Sequence, residues 1–224
     1  MGSRILVLGT GVAAEVFLGY TRGSQDFDVV ACASDSPEVK SIGGVSTLDL
    51  ADSTAAYPPK SHKALVMVGY SGLNGIRFEL FLRARELGYE FASYVHPSAI
   101  VAPTAKIHQG AVVMANSTVE PHAEVLPNTV VWANCVVGHH SQVGPHAWIS
   151  AGTVIAGNVR IGERSFVGVG SVISDSVEVG ELNFIGAGAL VTKRTGGDSV
   201  YFGVSASKFP YSAVEYGEYS WEKR

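Results

Sequence analysis

One pattern dominates the second half of the chain: from Val101 to Val191, every sixth residue is valine or isoleucine without exception. Four residues after each of these comes a mostly small residue, as at Ala105, Ser117 and Cys135. A helix has 3.6 residues per turn and cannot place every sixth residue on one face. A unit of one short strand and one turn can, because β-branched residues suit a pleated surface and glycine supplies turn conformations. The repeat therefore predicts a β-helix.

Composition agrees with a stacked solenoid. The 224 residues are 46% apolar and only 16% charged, with 26 glycines and a formal net charge of -4. The stretch from Val125 to Val159 contains no Lys, Arg, Asp or Glu, which indicates burial or packing against copies of the same chain. The low charge excludes a disordered chain, and nothing basic points to a nucleic acid partner.

Localisation is predicted from what the sequence does not contain. No apolar run reaches the ~18 residues that a membrane helix needs, and the start of the sequence does not have a signal-peptide pattern. Two cysteines, Cys32 and Cys135, do not make a disulfide framework. We expect a reduced, cytoplasmic protein that does not bind membranes.

The first hundred residues have a different pattern. Residues 4–9 predict a buried strand, and Gly9-x-Gly11-x-x-Ala14 fits the relaxed fingerprint of a glycine turn that opens a helix and faces a phosphate. Further strands are predicted at residues 28–33, 63–70 and 91–95, with an amphipathic helix over 74–87. Strands alternating with helices predict a small parallel sheet. Since the domain is short, we expect a nucleotide attached to another group rather than NAD; a glycine turn that only tightens packing is the alternative.

Together, the two halves resemble the hexapeptide-repeat acyltransferases, in particular the nucleotide-sugar N-acetyltransferases of the bacillosamine and perosamine type and the sialic acid O-acetyltransferase-like proteins. The stretches that carry this resemblance are Gly9-Thr-Gly11, Val68-Gly-Tyr-Ser71, Tyr94-Val-His-Pro-Ser-Ala99, Val137-Gly-His-His-Ser-Gln-Val-Gly144, Ile155-Ala-Gly-Asn-Val159 and Phe202-Gly-Val204.

The resemblance implies a domain organisation and a set of ligands. It predicts a small Rossmann-like α/β domain that binds a nucleotide sugar over residues 1–97, a left-handed parallel β-helix over 98–195, and a C-terminal extension over 196–224. It implies acetyl-CoA as cosubstrate, a nucleotide-linked amino sugar as acceptor, no metal, and a homotrimer with active sites between adjacent β-helices. Coils of 18 residues would place His139 above Pro121 and below Gly157, and His140 above His122.

The catalytic assignment follows from the same resemblance. His139 matches the family's catalytic histidine and is predicted to be the general base that takes a proton from the attacking amine. His140 stands where many relatives carry an acidic residue, so the group that orients His139 is open. Glu120, a backbone carbonyl and a neighbouring subunit are the candidates, and His140 is alternatively a substrate ligand. The alternative for His139 is a surface histidine stacked on Pro121.

Binding residues are predicted around this histidine and in the first domain. Glycine backbone and basic side chains are expected to contact acetyl-CoA, and an acidic side chain is expected to bind the ribose of the nucleotide. Two tryptophans are expected to line either a ligand pocket or a subunit interface. The predicted cofactor residues are Gly157, Trp148, Gly186, Ala187, Gly188, Lys193 and Lys208, and the predicted nucleotide-sugar residues are Gly9, Gly11, Val12, Asp35, Gly69, Tyr70 and Trp132.

Three alternatives remain open. One alternative is a zinc site of the kind found in γ-class carbonic anhydrases, formed by His122, His140 and His146. Neither the spacing of these histidines nor the first domain resembles that class. O-Acetylation of a sialic-acid-like sugar or another small acceptor needs the same histidine base. A trimeric scaffold that binds a nucleotide sugar without catalysis would share the fold.

Overall fold

The computed structural model describes residues 3–24, 27–35, 37–208 and 210–216. The elements of the first domain are β1 (Ser3–Leu8), α1 (Val12–Thr21), β2 (Phe27–Ser34), β3 (Ser41–Ile42), β4 (Val45–Asp49), the 3-10 turn Leu50–Asp52, α2 (Ser53–Ala56), β5 (Lys63–Val66) and α3 (Gly75–Glu86). The five strands form a sheet in the order β3-β4-β2-β1-β5, parallel except for the β3–β4 pair. Both faces of β1, which lies between β2 and β5, are covered, so residues 5–8 are fully buried.

Two-residue strands then repeat every six residues as far as Val191, and one more follows at Val200–Tyr201. They are β6 (Tyr94–Val95), β7 (Ile100–Val101), β8 (Lys106–Ile107), β9 (Val112–Val113), β10 (Thr118–Val119), β11 (Glu124–Val125), β12 (Val130–Val131), β13 (Val136–Val137), β14 (Gln142–Val143), β15 (Trp148–Ile149), β16 (Val154–Ile155), β17 (Arg160–Ile161), β18 (Phe166–Val167), β19 (Val172–Ile173), β20 (Glu178–Val179), β21 (Phe184–Ile185), β22 (Leu190–Val191) and β23 (Val200–Tyr201).

Every third strand joins the same parallel sheet, so three sheets form the faces of a triangular prism. Residues 18 apart are paired, as Val119 is with Val137 and Val137 with Ile155. This register confirms the predicted 18-residue coil and the parallel β-helix. The second residue of each strand points inward, and the predicted aliphatic series fills the prism with a single core from Val113 to Val191.

The first residue of each strand points outward, and the three faces differ in what they show. The domain face consists of β6, β9, β12, β15, β18, β21 and β23, and it packs against the first domain. The aliphatic face consists of β7, β10, β13, β16, β19 and β22, whose outward residues are Ile100, Thr118, Val136, Val154, Val172 and Leu190. The charged face consists of β8, β11, β14, β17 and β20, with outward residues Lys106, Glu124, Gln142, Arg160 and Glu178.

The corners between faces share one backbone device. From Gly110 to Gly188, every sixth residue has a positive φ, and asparagine, histidine and glycine occupy most of these positions. Asn and His adopt the left-handed conformation more readily than most side chains, and Gly does so without cost. We call the three corners the histidine corner (residues 120–122, 138–140, 156–158 and 174–176), the domain corner (126–128, 144–146 and 162–164) and the glycine corner (132–134, 150–152, 168–170 and 186–188).

Helix α3 holds the two domains together at the domain corner. Arg77 is fully buried there, donates a hydrogen bond to the carbonyl oxygen of Asn128, and lies 5.3 Å from the centre of the Trp148 ring. Burial lowers its pKa from 12.5 to about 9. Phe78 packs edge-on against His146, whose Nδ1 is 2.8 Å from Nδ2 of Asn128. The junction is therefore a packed core with a fixed orientation.

Two boundaries differ from the prediction. The strand expected at residues 91–95 in the small sheet is replaced by β6, which pairs with β9 and starts the β-helix; Phe91 makes only an isolated bridge to Ala64. At the other end, β23 pairs with β21 and adds a strand from the predicted extension to the domain face. In both places hydrogen bonding to the adjacent coil decides the assignment. The end of the predicted extension, residues 217–224, lies outside the described residues.

Candidate active site

His139 lies at the tip of the histidine corner, exposed, and its ring folds upward over the next coil. A Cβ atom added to Gly157 would lie 2.5 Å from Cε1 and 2.6 Å from Nε2 of His139. The space that glycine leaves open, expected to receive pantetheine or substrate, is thus filled by the imidazole itself. Gly157 seats the histidine, and its contact with a cofactor stays a prediction.

Glu120 and His140 contact different parts of His139. Glu120 Oε2 accepts a hydrogen bond from the main-chain N–H of His139 at 2.8 Å, so this carboxylate holds the backbone of the corner and not the imidazole. The imidazole Nδ1 lies instead 3.3 Å from Nδ1 of His140. His140 has a φ of 58° and stacks on His122 with ring centres 4.8 Å apart. His140 is therefore the side chain that contacts the imidazole of His139.

A carboxylate that the sequence analysis missed completes the corner. Asp175 lies two coils above His139 in the same column, and its Oδ1 is 2.9 Å from the Cβ position of Gly157 that His139 also approaches. Its other oxygen, Oδ2, accepts a hydrogen bond from Ser176 Oγ at 2.7 Å. Extending the 18-residue column by one further step, from Gly157 to Asp175, was the available signal.

A second cleft of about 540 Å³ opens at the carboxyl ends of β1 and β2, beside α3. Of the predicted nucleotide-sugar residues, Gly9, Gly11 and Asp35 line it. Gly9 has a φ of 138°, and a Cβ there would lie 2.4 Å from the carbonyl oxygen of Met67, so it permits close strand packing. Gly11 caps α1 and has open space around it, which leaves the helix N-terminus accessible to an anion.

Arg83 of α3 modifies the role expected of Asp35. Both oxygens of Asp35 lie 2.6 Å from Nη1 of Arg83, so the carboxylate expected to bind ribose is already in an ion pair. Both side chains are about half exposed, and an exposed pair of this kind is weak enough to open for a ligand. The other predicted nucleotide-sugar residues, Val12, Gly69, Tyr70 and Trp132, do not line this cleft.

The aromatic residues form part of the junction between domains. Trp148 is only 5% exposed and lies beneath Arg77 and Tyr70, which argues against the predicted contact with a cofactor. Trp132 packs on Trp148 with ring centres 5.5 Å apart and is half-buried. Tyr70 packs on Phe166 at 4.3 Å. These rings stabilise the junction of the first domain with the domain face.

The remaining predicted cofactor residues lie on two other parts of the surface. Gly186, Ala187 and Gly188 belong to the glycine corner, where Ala187 and Gly188 are exposed and Gly186 is covered by Phe202. Lys193 follows Asp175 in the column of His139, and Lys208 is exposed in the C-terminal segment. Within one chain the glycine corner and the histidine corner lie at opposite edges of the aliphatic face.

The geometry does not support the zinc alternative. His122 and His140 stack on the histidine corner, but His146 lies on the domain corner, buried against Phe78 and Phe81. Among the described residues, no group of three or more His, Cys, Asp or Glu side chains is arranged to hold a metal ion.

None of the helices among the described residues has both the length and the apolar character of a membrane span.

The fold and the histidine corner together define a class: a left-handed β-helix acyltransferase architecture that carries an N-terminal α/β domain. The family model of the GMPPB C-terminal domain matches residues 95–200. No curated protein sequence matches the chain.

Solved structures match the whole architecture. The acetyltransferase domain of PglB from Neisseria gonorrhoeae aligns with a TM-score of 0.81 at 25% identity, over 93% of this chain and 100% of that one. A histidine-to-asparagine mutant of perosamine N-acetyltransferase from Caulobacter crescentus, in complex with CoA and GDP-perosamine, aligns with a TM-score of 0.71 at 25% identity, over 92% and 96%. WeeI from Acinetobacter baumannii shares the fold, with a TM-score of 0.78 at 16% identity, over 90% and 97%. This chain has the architecture of the hexapeptide-repeat sugar N-acetyltransferases, and the predicted resemblance is confirmed.

Proposed function

We propose that this protein is an acetyl-CoA-dependent N-acetyltransferase that acts on the amino group of a nucleotide-linked amino sugar. The observation that carries the proposal is an exposed histidine, His139, in contact with His140 and seated over Gly157 on a β-helix corner. The similarity supports it, since the perosamine N-acetyltransferase structure contains CoA and GDP-perosamine and a PglB domain structure contains acetyl coenzyme A. In this proposal the protein works in the cytoplasm, where both substrates are made.

The chemistry needs one base and no covalent intermediate. Nε2 of His139 accepts a proton from the acceptor ammonium, and the neutral amine attacks the thioester carbonyl carbon. A C–N bond forms and the C–S bond breaks, and the departing CoA sulfur takes the second amine proton. For Nε2 to accept a proton, Nδ1 of His139 must carry the ring hydrogen, and it then donates a hydrogen bond to Nδ1 of His140. The 3.3 Å contact between the two rings suits that tautomer.

The nucleotide is proposed to bind in the cleft of the first domain. Gly11 opens the N-terminus of α1 to a phosphate, and Asp35 can exchange Arg83 for a ribose hydroxyl. None of the residues that line the cleft belongs to the histidine corner. In this proposal the two parts of one site come from different chains.

A homotrimer would join them. The aliphatic face is the face that neither charge nor the first domain covers, and Ile100 and Leu190 on it are 68% and 67% exposed. Exposed aliphatic patches indicate protein contacts. Packing three aliphatic faces around an axis would bring the histidine corner of one subunit to the glycine corner of the next, with residues 150–152 near the level of His139 and Ala187 and Gly188 two coils above them. Acetyl-CoA is proposed to lie between these two corners.

The test of the proposed function is acetyl transfer by His139→Ala. We expect kcat to fall by about 10²–10⁴-fold, the usual contribution of a general base, with the melting temperature unchanged. His108→Ala is the matched control, since His108 lies on a different corner and contacts Glu124. The substrate is chosen by asking which of the UDP-, dTDP- and GDP-linked amino sugars raises the melting temperature. Full activity in His139→Ala would overturn the mechanism. Nucleotide-sugar binding without acetyl-CoA binding would instead indicate a scaffold.

A further inference from the structure

We propose that Asp175 binds the ammonium group of the acceptor against Nε2 of His139 and thereby selects an amine over a hydroxyl. The inference rests on the proposed function, because it names the charge of the acceptor group at the same site. It answers a question that a histidine base leaves open, since histidine can deprotonate either nucleophile.

The two side chains approach one point from opposite directions. His139 rises from the coil below Gly157 and Asp175 descends from the coil above it. The Cβ position of Gly157 is 2.6 Å from Nε2 of His139 and 2.9 Å from Oδ1 of Asp175. Nε2 of His139 and Oδ1 of Asp175 are therefore no farther apart than the sum of those two distances.

A gap separates the two groups, and its size suits one bridging atom. Among the described residues, no direct hydrogen bond or ion pair joins Asp175 to His139. The distance between Oδ1 and Nε2 is nevertheless limited by their shared approach to the Cβ position of Gly157. One nitrogen that forms hydrogen bonds of ~2.8 Å to both atoms fits that separation. The glycine between them is what leaves the approach free of a side chain.

The outer atoms of both side chains are already engaged. Ser176 Oγ donates to Oδ2 of Asp175, which turns Oδ1 toward the gap. His140 contacts Nδ1 of His139, which leaves Nε2 facing the same space. The carboxylate of Glu120 is used by the main-chain N–H of His139. Of the two carboxylates in this corner, Asp175 is the one with an oxygen directed at the reacting nitrogen.

Charge then explains the selectivity. An amino sugar enters as an ammonium ion, and a charge-assisted hydrogen bond to a carboxylate is roughly twice as strong as a neutral one. A hydroxyl can also donate to this carboxylate, but it carries no positive charge and therefore gains no attraction between opposite charges. When the proton passes from the ammonium to His139, the positive charge stays beside Asp175, so the carboxylate binds the cation without opposing its deprotonation. The proton balance is that of the proposed function: one proton leaves through His139 and one goes to the CoA sulfur.

The experiment compares binding and turnover in the full-length protein and in Asp175→Asn, which removes the charge and keeps the shape. The probes are 4-amino-4,6-dideoxysugars linked to UDP, dTDP and GDP, each paired with the sugar that carries a hydroxyl at the same carbon. Calorimetry gives the affinity ratio of amine to hydroxyl, and steady-state kinetics gives KM and kcat separately. Glu181→Gln is the matched control, an exposed acid at another corner of a neighbouring coil.

We expect Asp175→Asn to weaken binding of the amine about tenfold, to raise KM by the same factor, and to leave hydroxyl binding and kcat within about threefold of the wild type. Ser176→Ala should show the same selective loss to a smaller extent. An equal loss for amine and hydroxyl, or no loss, would overturn the role of Asp175 even if the wild type transfers acetyl groups normally. An amine preference that depends on Asp175 in a protein without transfer would support the ammonium site and overturn the proposed function.

Discussion

Gly157 shows how much of the candidate site depends on one missing side chain. Its position in the column puts it between His139 below and Asp175 above, and both of these side chains have atoms within 3 Å of where a Cβ would be. Glycine here is not needed for a left-handed turn, because the left-handed residue of this corner is Asn158. Glycine is required at position 157 because a larger side chain would not fit there. The candidate site, and not the fold, imposes this requirement.

The first prediction concerns Gly157→Ala. The added methyl group would displace the imidazole of His139, and we expect kcat to fall at least tenfold while the melting temperature changes by only a few degrees. Acetyl transfer and thermal unfolding are the two measurements. Gly19→Ala is the control, since Gly19 lies in α1 with nothing within 4 Å of the added carbon. Unchanged kcat in Gly157→Ala would show that the ring does not need its position over this glycine.

At the same scale, sequence reasoning found three residues of the candidate site but not Asp175. His139, Gly157 and His140 came from the spacing of the repeat and the resemblance. The spacing gives the column of a residue but not the rotamer of its side chain, so Glu120 could be named only as one candidate for orienting the imidazole; its carboxylate accepts from the main-chain N–H of His139. Trp148 was predicted at a ligand pocket or an interface, and it packs against Arg77 with 5% of its surface exposed.

At the scale of elements, the corner turns use one left-handed backbone conformation for side chains with different roles. His122, His140 and His146 occupy the same position of the hexad, each with a φ near 60°. The first is exposed and stacks on the second, the second contacts the imidazole of His139, and the third is buried under α3. The backbone position selects residues that tolerate a left-handed turn, and the neighbouring elements decide what each one does.

The second prediction is that the junction at His146 weakens in acid. Burial, with the positive charge of Arg77 nearby, lowers the pKa of His146 from 6.5 to about 4. The unfolded chain therefore binds a proton at a higher pH than the folded chain, so stability is complete above pH 6.5 and falls as pH drops toward 4. We expect a loss on the order of 2 kcal/mol, measured by denaturant unfolding across that range.

The matched variants are His146→Asn and His122→Asn, because asparagine suits the left-handed turn at both positions. His146→Asn should flatten the pH dependence, whereas His122→Asn, at an exposed site, should leave it intact. The same slope in all three proteins would rule out His146 as the titrating group.

The elements of the β-helix could be predicted almost completely, and those of the first domain less so. A period of six fixes strand positions and register together, because each coil must pair with the next. In the first domain the hairpin of β3 and β4 was not predicted, since a two-residue strand such as Ser41–Ile42 has no alternation to detect. The strand at Tyr94 was assigned to the wrong sheet because its local sequence suits either one.

For the whole molecule, the three faces of the prism divide the work. The domain face holds the first domain through a column of apolar side chains: Tyr94, Val112, Val130, Trp148, Phe166 and Phe184. The charged face carries side chains of both signs, with ion pairs such as Lys106–Glu124 at 2.9 Å. The aliphatic face carries a column of β-branched and leucine side chains between the two corners that the proposed trimer brings together.

The third prediction tests that assembly. Val154→Glu places a charge at the centre of the aliphatic face, where burial between subunits would be costly, and we expect the trimer to dissociate and acetyl transfer to be lost. Gln142→Glu adds the same charge to the charged face and should remain trimeric and active. Light scattering coupled to gel filtration gives the mass of each species. A wild-type monomer, or a trimeric Val154→Glu, would contradict the proposed interface.

The 18-residue register also constrains how a chain like this can change length. An insertion or deletion of six residues between His139 and Asp175 would rotate every later strand onto the next face, moving Asp175 to a different edge from His139. One of 18 residues would return every later side chain to its own face, displaced by a single coil, or ~4.8 Å along the axis. Descendants of such a protein can therefore gain whole coils beyond Gly188 and keep their chemistry. Between His139 and Asp175, even a full coil would separate the histidine from the carboxylate it faces.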